Sequence, residues 1–292
     1  MKSDFFLTGW SAWRSIAMCL TSAAIITGCS SSTGDTGSFT SAGVGTGGTG
    51  SLQASISGKV ADGYLINAAV FLDKNGNYQL DTGEPATTTD ANGAYSLNID
   101  LADVGQYPIV AHAIQGDTID KDTNRAVANS YVLSLHKDSV NNTPVNNFIS
   151  PLTSQLREMM ETGIYTTMQQ AADALRTKMG LSTTTDMMAD YIIVNNTDMH
   201  TAAQNVATLM GNQMEQVLGT SGSTTTIDVN RYRKMMGTIF SNMSTVMGVN
   251  NQAGMSNLNN TMTTMLSTDM PRMSVGQPYQ NMSTAFRGKM GK

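Results

Sequence analysis

The chain has 292 residues, of which 40% are hydrophobic and 13% charged, with a formal net charge of -5 and a sequence pI near 5.1. That length suits one large domain or two small ones, and the apolar content excludes a disordered chain. The acidic balance excludes nucleic acid as a partner, because phosphate binding needs clustered Lys and Arg.

The N-terminus reads as a targeting segment rather than as part of the fold. Lys2 and Arg14 are its positive charges, and the apolar run over 15–27 is too short to span a bilayer. The run ends in Ile26, Thr27, Gly28 and Cys29. This resembles a bacterial lipobox: a branched apolar residue, two small residues, then the cysteine that receives lipid. On this reading residues 1–28 are a lipoprotein signal peptide and Cys29 is the lipidation site. Cys19 leaves with the signal, so the mature chain keeps one cysteine and has no intramolecular disulfide. The expected attachment is a lipid tether to a membrane, not a transmembrane span. By resemblance to Gram-negative lipoproteins, Ser30 in place of Asp implies the outer membrane. Residues 30–50 are nearly all Gly, Ser and Thr, a composition that cannot bury enough apolar surface to order itself. Residues 29–52 therefore read as the lipidated cysteine and a flexible tether.

From 53 to 145 the pattern is all-β. Candidate strands are 55–60, 67–73, 94–99, 107–114 and 127–135. Turn signals separate them at Asp62-Gly63, Asn75-Gly76 and Asn92-Gly93. Short strands at this spacing predict a small sandwich. Near residue 146 the apolar period changes from two to about 3.6. Ser150-Pro151 is a helix start, with Ser as cap and Pro in the first turn, and this helix ends at Gly163. Further helices are expected over 167–179, 198–218, 228–247 and 255–266, with a Ser/Thr/Gly loop at 220–226. These make a helical domain over 146–268. Residues 269–292 read as a loose tail, with four basic residues and no acid from Pro271 onward. The expected fold class is thus α+β: an antiparallel β-sandwich followed by a Met-rich all-α domain.

The stretch ISGKVADGYLINAAVFLDKNGNYQLDTGEPATTTDANGAYSL, residues 56–97, resembles modules of bacterial surface proteins. These are the prealbumin-like β-sandwiches of the SdrD B-domain, Cna B-type and carboxypeptidase-regulatory-like groups. The runs DKNGNYQLDTGEP and TTDANGAYSL carry the resemblance, and FISPLTSQLREMMETG looks like the helix that often follows such a sandwich. The likeness covers roughly residues 55–181. It implies architecture and a place at the cell surface, but no activity.

The acidic loop can be counted against a calcium loop with ligands at positions 1, 3, 5, 7, 9 and 12. Asp73, Asn75, Asn77, Gln79, Asp81 and Glu84 fall there. The departure is position 6, where the sharp turn wants Gly and the chain has Tyr78. Calcium at this loop is the expected cofactor. The competing reading is a turn whose Asp and Asn side chains bond their own backbone. A second acidic cluster, Asp117, Asp120 and Asp122, is open to the same two readings.

Of 22 methionines, 20 lie after residue 150. On the helix from Asp228 they share one face with Val229, Tyr232, Ile239, Phe240 and Val246, the pattern of a packed helix. A second reading is soft-metal binding, since Met210/Met214, Met243/Met247 and Met262/Met265 set thioethers on one face and thioethers suit copper(I). A third is association with partner helices or with a second copy.

Nothing in the chain spells a catalytic motif. There is no HExxH, no Gly-x-Ser-x-Gly and no phosphate loop. His112 and His136 read as structural, and His200 is the one histidine in the methionine-rich region. The functional expectation is a non-catalytic, lipid-anchored protein of the outer membrane or cell surface, acting in binding, adhesion or extracellular structure. The alternatives are a carbohydrate-binding module and a Met-rich periplasmic copper-binding lipoprotein. Partners would be the membrane, through the lipid, and a protein or polysaccharide at the surface.

Overall fold

A computed structural model describes residues 51–143, 147–221 and 224–270. The lipobox with Cys29, the tether up to residue 50 and the tail from residue 271 lie outside them. Twelve strands and six α-helices are described, so the α+β class holds.

The strands are β1 (Gln53–Val60), β2 (Leu65–Ile66), β3 (Ala69–Leu72), β4 (Ala86–Thr88), β5 (Ala94–Asp100), β6 (Ile109–Ala113), β7 (Ile119–Asp120), β8 (Arg125–Ala126), β9 (Tyr131–Leu135) and β10 (Asn147–Ile149). One sheet has the order β10-β1-β5, a second β4-β3-β6-β9, and a small third β2-β7-β8. All pairings are antiparallel except β1 with β10. Burial along β1 and β5 alternates, so their sheet has one wet face. Every residue of β3, β6 and β9 is buried. Those strands are the continuous apolar runs of the sequence, as expected for a sheet covered on both sides.

Helices cover the second face. They are α1 (Pro151–Glu161), α2 (Met168–Met179), α3 (Thr197–Val217), α4 (Val229–Ser241), α5 (Met243–Met247) and α6 (Gln252–Asp269). Ser150 caps α1 in a full capping box with Thr153, and Pro151 occupies the first turn. The same cap ties α1 to the sheet, because Thr153 Oγ1 donates to the Ser134 carbonyl and the Ser134 amide donates to Ser154 Oγ. Gly180 ends α2 at φ +69°, a left-handed cap that any Cβ would strain. Tyr232 of α4 donates to the Val132 carbonyl of β9 at 2.9 Å.

Three expectations change. Residues 147–149, assigned to the helical segment, form β10 and extend the first sheet; three residues are too few to show a period. The loop at 220–226 is instead part of a hairpin, β11 (Leu218–Ser221) with β12 (Thr224–Ile227). The helix over 228–247 breaks at Asn242, whose own side chain donates to the Thr238 carbonyl. The division at 145/146 is not a break in packing. One core runs from Ile56 and Phe71 through Leu152 and Met159 to Met210, Met236 and Met262, and the chain from Ser51 onward clusters as one compact unit.

Candidate functional site

The loop after β3 closes on itself. Asp73 is fully buried. Its Oδ1 accepts from the amides of Gly76 (2.8 Å) and Asn77 (3.0 Å), and its Oδ2 from the amide of Tyr78 (3.3 Å). Arg157 of α1, also buried, donates Nη2 to Asp73 Oδ2 at 3.1 Å. Tyr78 takes the turn at φ +62°, the conformation for which the sequence pattern wanted Gly. That strain is offset by burial of its ring. The Arg157 guanidinium sits 4.1 Å from the ring centroid, and the Tyr232 ring lies 4.7 Å away. The Tyr78 hydroxyl donates to Glu158 Oε1, and Arg233 of α4 approaches Glu158 Oε2 at 3.3 Å. His112 on β6 bonds the Tyr78 carbonyl at 2.7 Å, and burial lowers its imidazole to about 4.

The loop oxygens already have partners within the chain. The Asp73 carboxylate already has three amides and a guanidinium, and a permanently charged Arg beside a first ligand repels a divalent cation. Both Glu84 oxygens are engaged by the amides of Lys74 and Asp81. The side-chain amides of Asn75 and Asn77 both donate to Asp81 Oδ2, each at 2.7 Å. Gln79 contributes its amide to Asn77 Oδ1. Among the described residues no three His, Cys, Asp or Glu converge as a metal site. The turn reading of DKNGNYQLDTGE is the one its hydrogen bonds support.

A second cluster forms around Gly63, in the turn between β1 and β2. Asp62 is buried, with Oδ2 accepting from Tyr131 at 2.8 Å and Oδ1 without a hydrogen-bond partner. A Cβ at Gly63 would lie 2.5 Å from Asp120 Oδ1 and 2.6 Å from Asp122 Oδ2, so only Gly lets the turn pass between these carboxylates. Asp122 Oδ2 accepts from two residues one turn apart on α3: His200 Nε2 at 2.6 Å and Gln204 Nε2 at 2.8 Å. The His200 ring stacks on Tyr191, centroids 5.5 Å apart, and the Tyr191 hydroxyl donates to the carbonyls of Ala61 (3.0 Å) and Asp62 (3.2 Å). Desolvation pushes the Asp62 carboxyl up to about 7, opposed by the Tyr131 bond and reinforced by Asp120 and Asp122.

Of the second predicted acidic set, the structure gathers Asp120 and Asp122 but leaves Asp117 in the exposed turn before β7. No known family, curated protein or solved structure matches this chain. The partners that complete the cluster, Asp62 and His200, lie too far apart in sequence to be paired by spacing. Asp62 was read only as half of a turn signal. Of the methionine pairs, Met210, Met243 and Met262 are fully buried and Met214 nearly so, among Leu209, Ile239 and Leu258, while Met247 is half-buried and Met265 exposed. The buried thioethers pack in the core. His136 is buried and accepts from the Asp138 amide.

Two clefts flank the turn between α5 and α6. One of about 370 Å³ is lined by Asn205, Asn212, Asn250, Asn251 and Asn259 over Met255. The other, about 470 Å³, is lined by Asn242, Thr245, Asn257 and Thr261 over Leu258. No charged residue occurs from Asn242 to Thr268, so this face is neutral amide and hydroxyl. Among the described residues no helix is long and apolar enough to cross a membrane.

Proposed function

We propose that this chain is an exported, lipid-anchored protein that acts without catalysis at the outer membrane or cell surface, as a binding or structural module. The anchor would be Cys29, with residues 30–50 as standoff, and the β part would be a prealbumin-like sandwich to which the helices are fused. The observation that carries the binding role is the neutral, Asn-lined pair of clefts beside α6. Asn side chains both donate and accept, so they complement hydroxyl arrays without the desolvation cost of charges. That chemistry favours a neutral polysaccharide over an ionic partner, and it supports the carbohydrate-binding reading specifically. The loop over 73–84 is stiffened in this reading by Arg157 rather than by calcium.

The test is metabolic labelling with a palmitate analogue in a Gram-negative host, followed by membrane fractionation and retention on dextran beads. The full chain should be labelled, sediment with outer membranes and be retained. Cys29→Ser should lose label and membrane association but keep retention. An unlabelled wild-type chain would remove the anchor, and equal passage of wild type and Asn251→Ala through the beads would remove the polysaccharide partner.

A further inference from the structure

The cluster around Gly63 joins three elements that are remote in sequence: the turn of Asp62, the β7–β8 hairpin with Asp120 and Asp122, and α3 with His200 and Gln204. We propose that it is a proton-operated clasp, which fastens the β7–β8 hairpin to α3 in acid and releases it as pH rises through neutrality.

The geometry supplies both states. In acid, a proton on Asp62 Oδ1 neutralises the buried carboxyl while Oδ2 keeps its bond from Tyr131. Asp122, in the turn of the hairpin, then holds its two bonds from α3, from His200 and Gln204. Once Asp62 ionises, it joins Asp120 and Asp122 as a third carboxylate around one glycine, and the three repel one another. The other charged and titratable groups nearby are Arg125, opposite Asp120 in the hairpin, with Lys121, Lys59, Tyr64, Asp190, Tyr131 and Tyr191. Lys121 is engaged with Asn92 at 3.2 Å, and Lys59 lies over the Tyr64 ring at 4.0 Å. Tyr64 donates to Asp190, whose other oxygen accepts from the amides of Ile192 and Ile193. Tyr131 and Tyr191 stay neutral, since burial raises both hydroxyls.

The hairpin is the element that would yield. It is two residues per strand, its residues from Lys121 to Ala126 are exposed, and it pairs only with β2. Its release would uncover the α3 face that carries His200 and Gln204.

Amide hydrogen exchange on the full chain in detergent tests this, with rates expressed relative to the unstructured chain at each pH. Between about pH 5 and pH 8, peptides over 117–127 and 196–204 should lose protection by about tenfold or more, while β1 and β5 keep theirs. Asp62→Asn should abolish the change and hold the acid-like protection at both pH values. His200→Ala removes one of the two α3 bonds to Asp122 and should lower protection over 117–127 at pH 5 toward its pH 8 level. It also serves if Asp62→Asn fails to fold. Equal protection of the hairpin at both pH values, or a pH response that survives in both variants, overturns the clasp.

Discussion

Replacing Asp62 by Asn should change the pH dependence of folding more than its level. In the folded chain the Asp62 carboxyl is raised from its ordinary 3.8 to about 7. Between those values the folded state holds a proton that the unfolded state has lost, so stability falls as pH rises and the loss is complete above 7. Converted at 1.36 kcal/mol per pKa unit, it amounts to about 4 kcal/mol. His112 works in the opposite direction. Its imidazole drops from 6.5 to about 4, so the unfolded state takes up the proton first and stability falls as pH drops below 6.5, by about 3 kcal/mol in all. The two slopes nearly cancel in the wild type between pH 4 and 7. Asn at position 62 keeps an acceptor for Tyr131 and cannot ionise. The variant should match the wild type near pH 4 and exceed it by up to about 4 kcal/mol at pH 8, with the His112 slope now visible. Urea unfolding of the full chain across that range measures both curves. Their difference isolates Asp62, because every other group is common. A difference that stays flat from pH 4 to pH 8 would refute a raised carboxyl at this position.

Arg157→Met should cost about 3–5 kcal/mol, because it strands the buried Asp73 charge. Adding Asp73→Asn should recover much of that loss in a double-mutant cycle, and purely additive losses would show that the pair is not coupled. Millimolar calcium or a chelator should leave the melting temperature of the wild type unchanged. A calcium-dependent rise would mean that Arg157 gives way to the ion. Gly58→Ala should be among the most damaging small changes, since its Cβ would lie 2.0 Å from the Asn147 carbonyl oxygen on the neighbouring strand. A fully cooperative melt within about 1 kcal/mol of wild type would contradict the tight β1–β10 approach.

What the sequence made legible was local. The cap at Ser150-Pro151, the left-handed stop at Gly180 and the alternation in β5 each depend on residues a few positions apart, and each stands in the structure. What it concealed was long-range. Asp73 was placed in a ligand set because its neighbours in sequence were oxygen-bearing, whereas its decisive neighbour is Arg157, on the first helix. The spacing of DKNGNYQLDTGE described the turn correctly, even to the left-handed position filled by Tyr78, but spacing cannot show that a guanidinium already supplies the positive charge. The Gly63 cluster was less legible still, as His200 meets Asp122 only through the packing of α3 against the hairpin. A continuous core was hidden for a similar reason: the change from strand period to helix period marks a change in local structure, not the edge of a packing unit.

Both charge clusters bear on how such a chain holds together. Residues 51–270 contain no cysteine, so no disulfide can join the strands to the helices. In the disulfide's place stand two polar joints. Arg157 and Glu158 of α1, with Arg233 of α4, fix the loop after β3 through permanent charges. His200 and Gln204 of α3 fix the β7–β8 hairpin through hydrogen bonds to Asp122. Buried pairs add little net stability over an apolar filling, but removing one partner is severely penalised, which favours a single register of helices on sheet. The first joint is built on two guanidiniums, whose charge does not change near neutrality. The second sits beside a carboxyl balanced near 7. With the proposed clasp, the fold combines a fixed attachment at the loop after β3 with an adjustable one at the β7–β8 hairpin, whose residues from Lys121 to Ala126 are exposed.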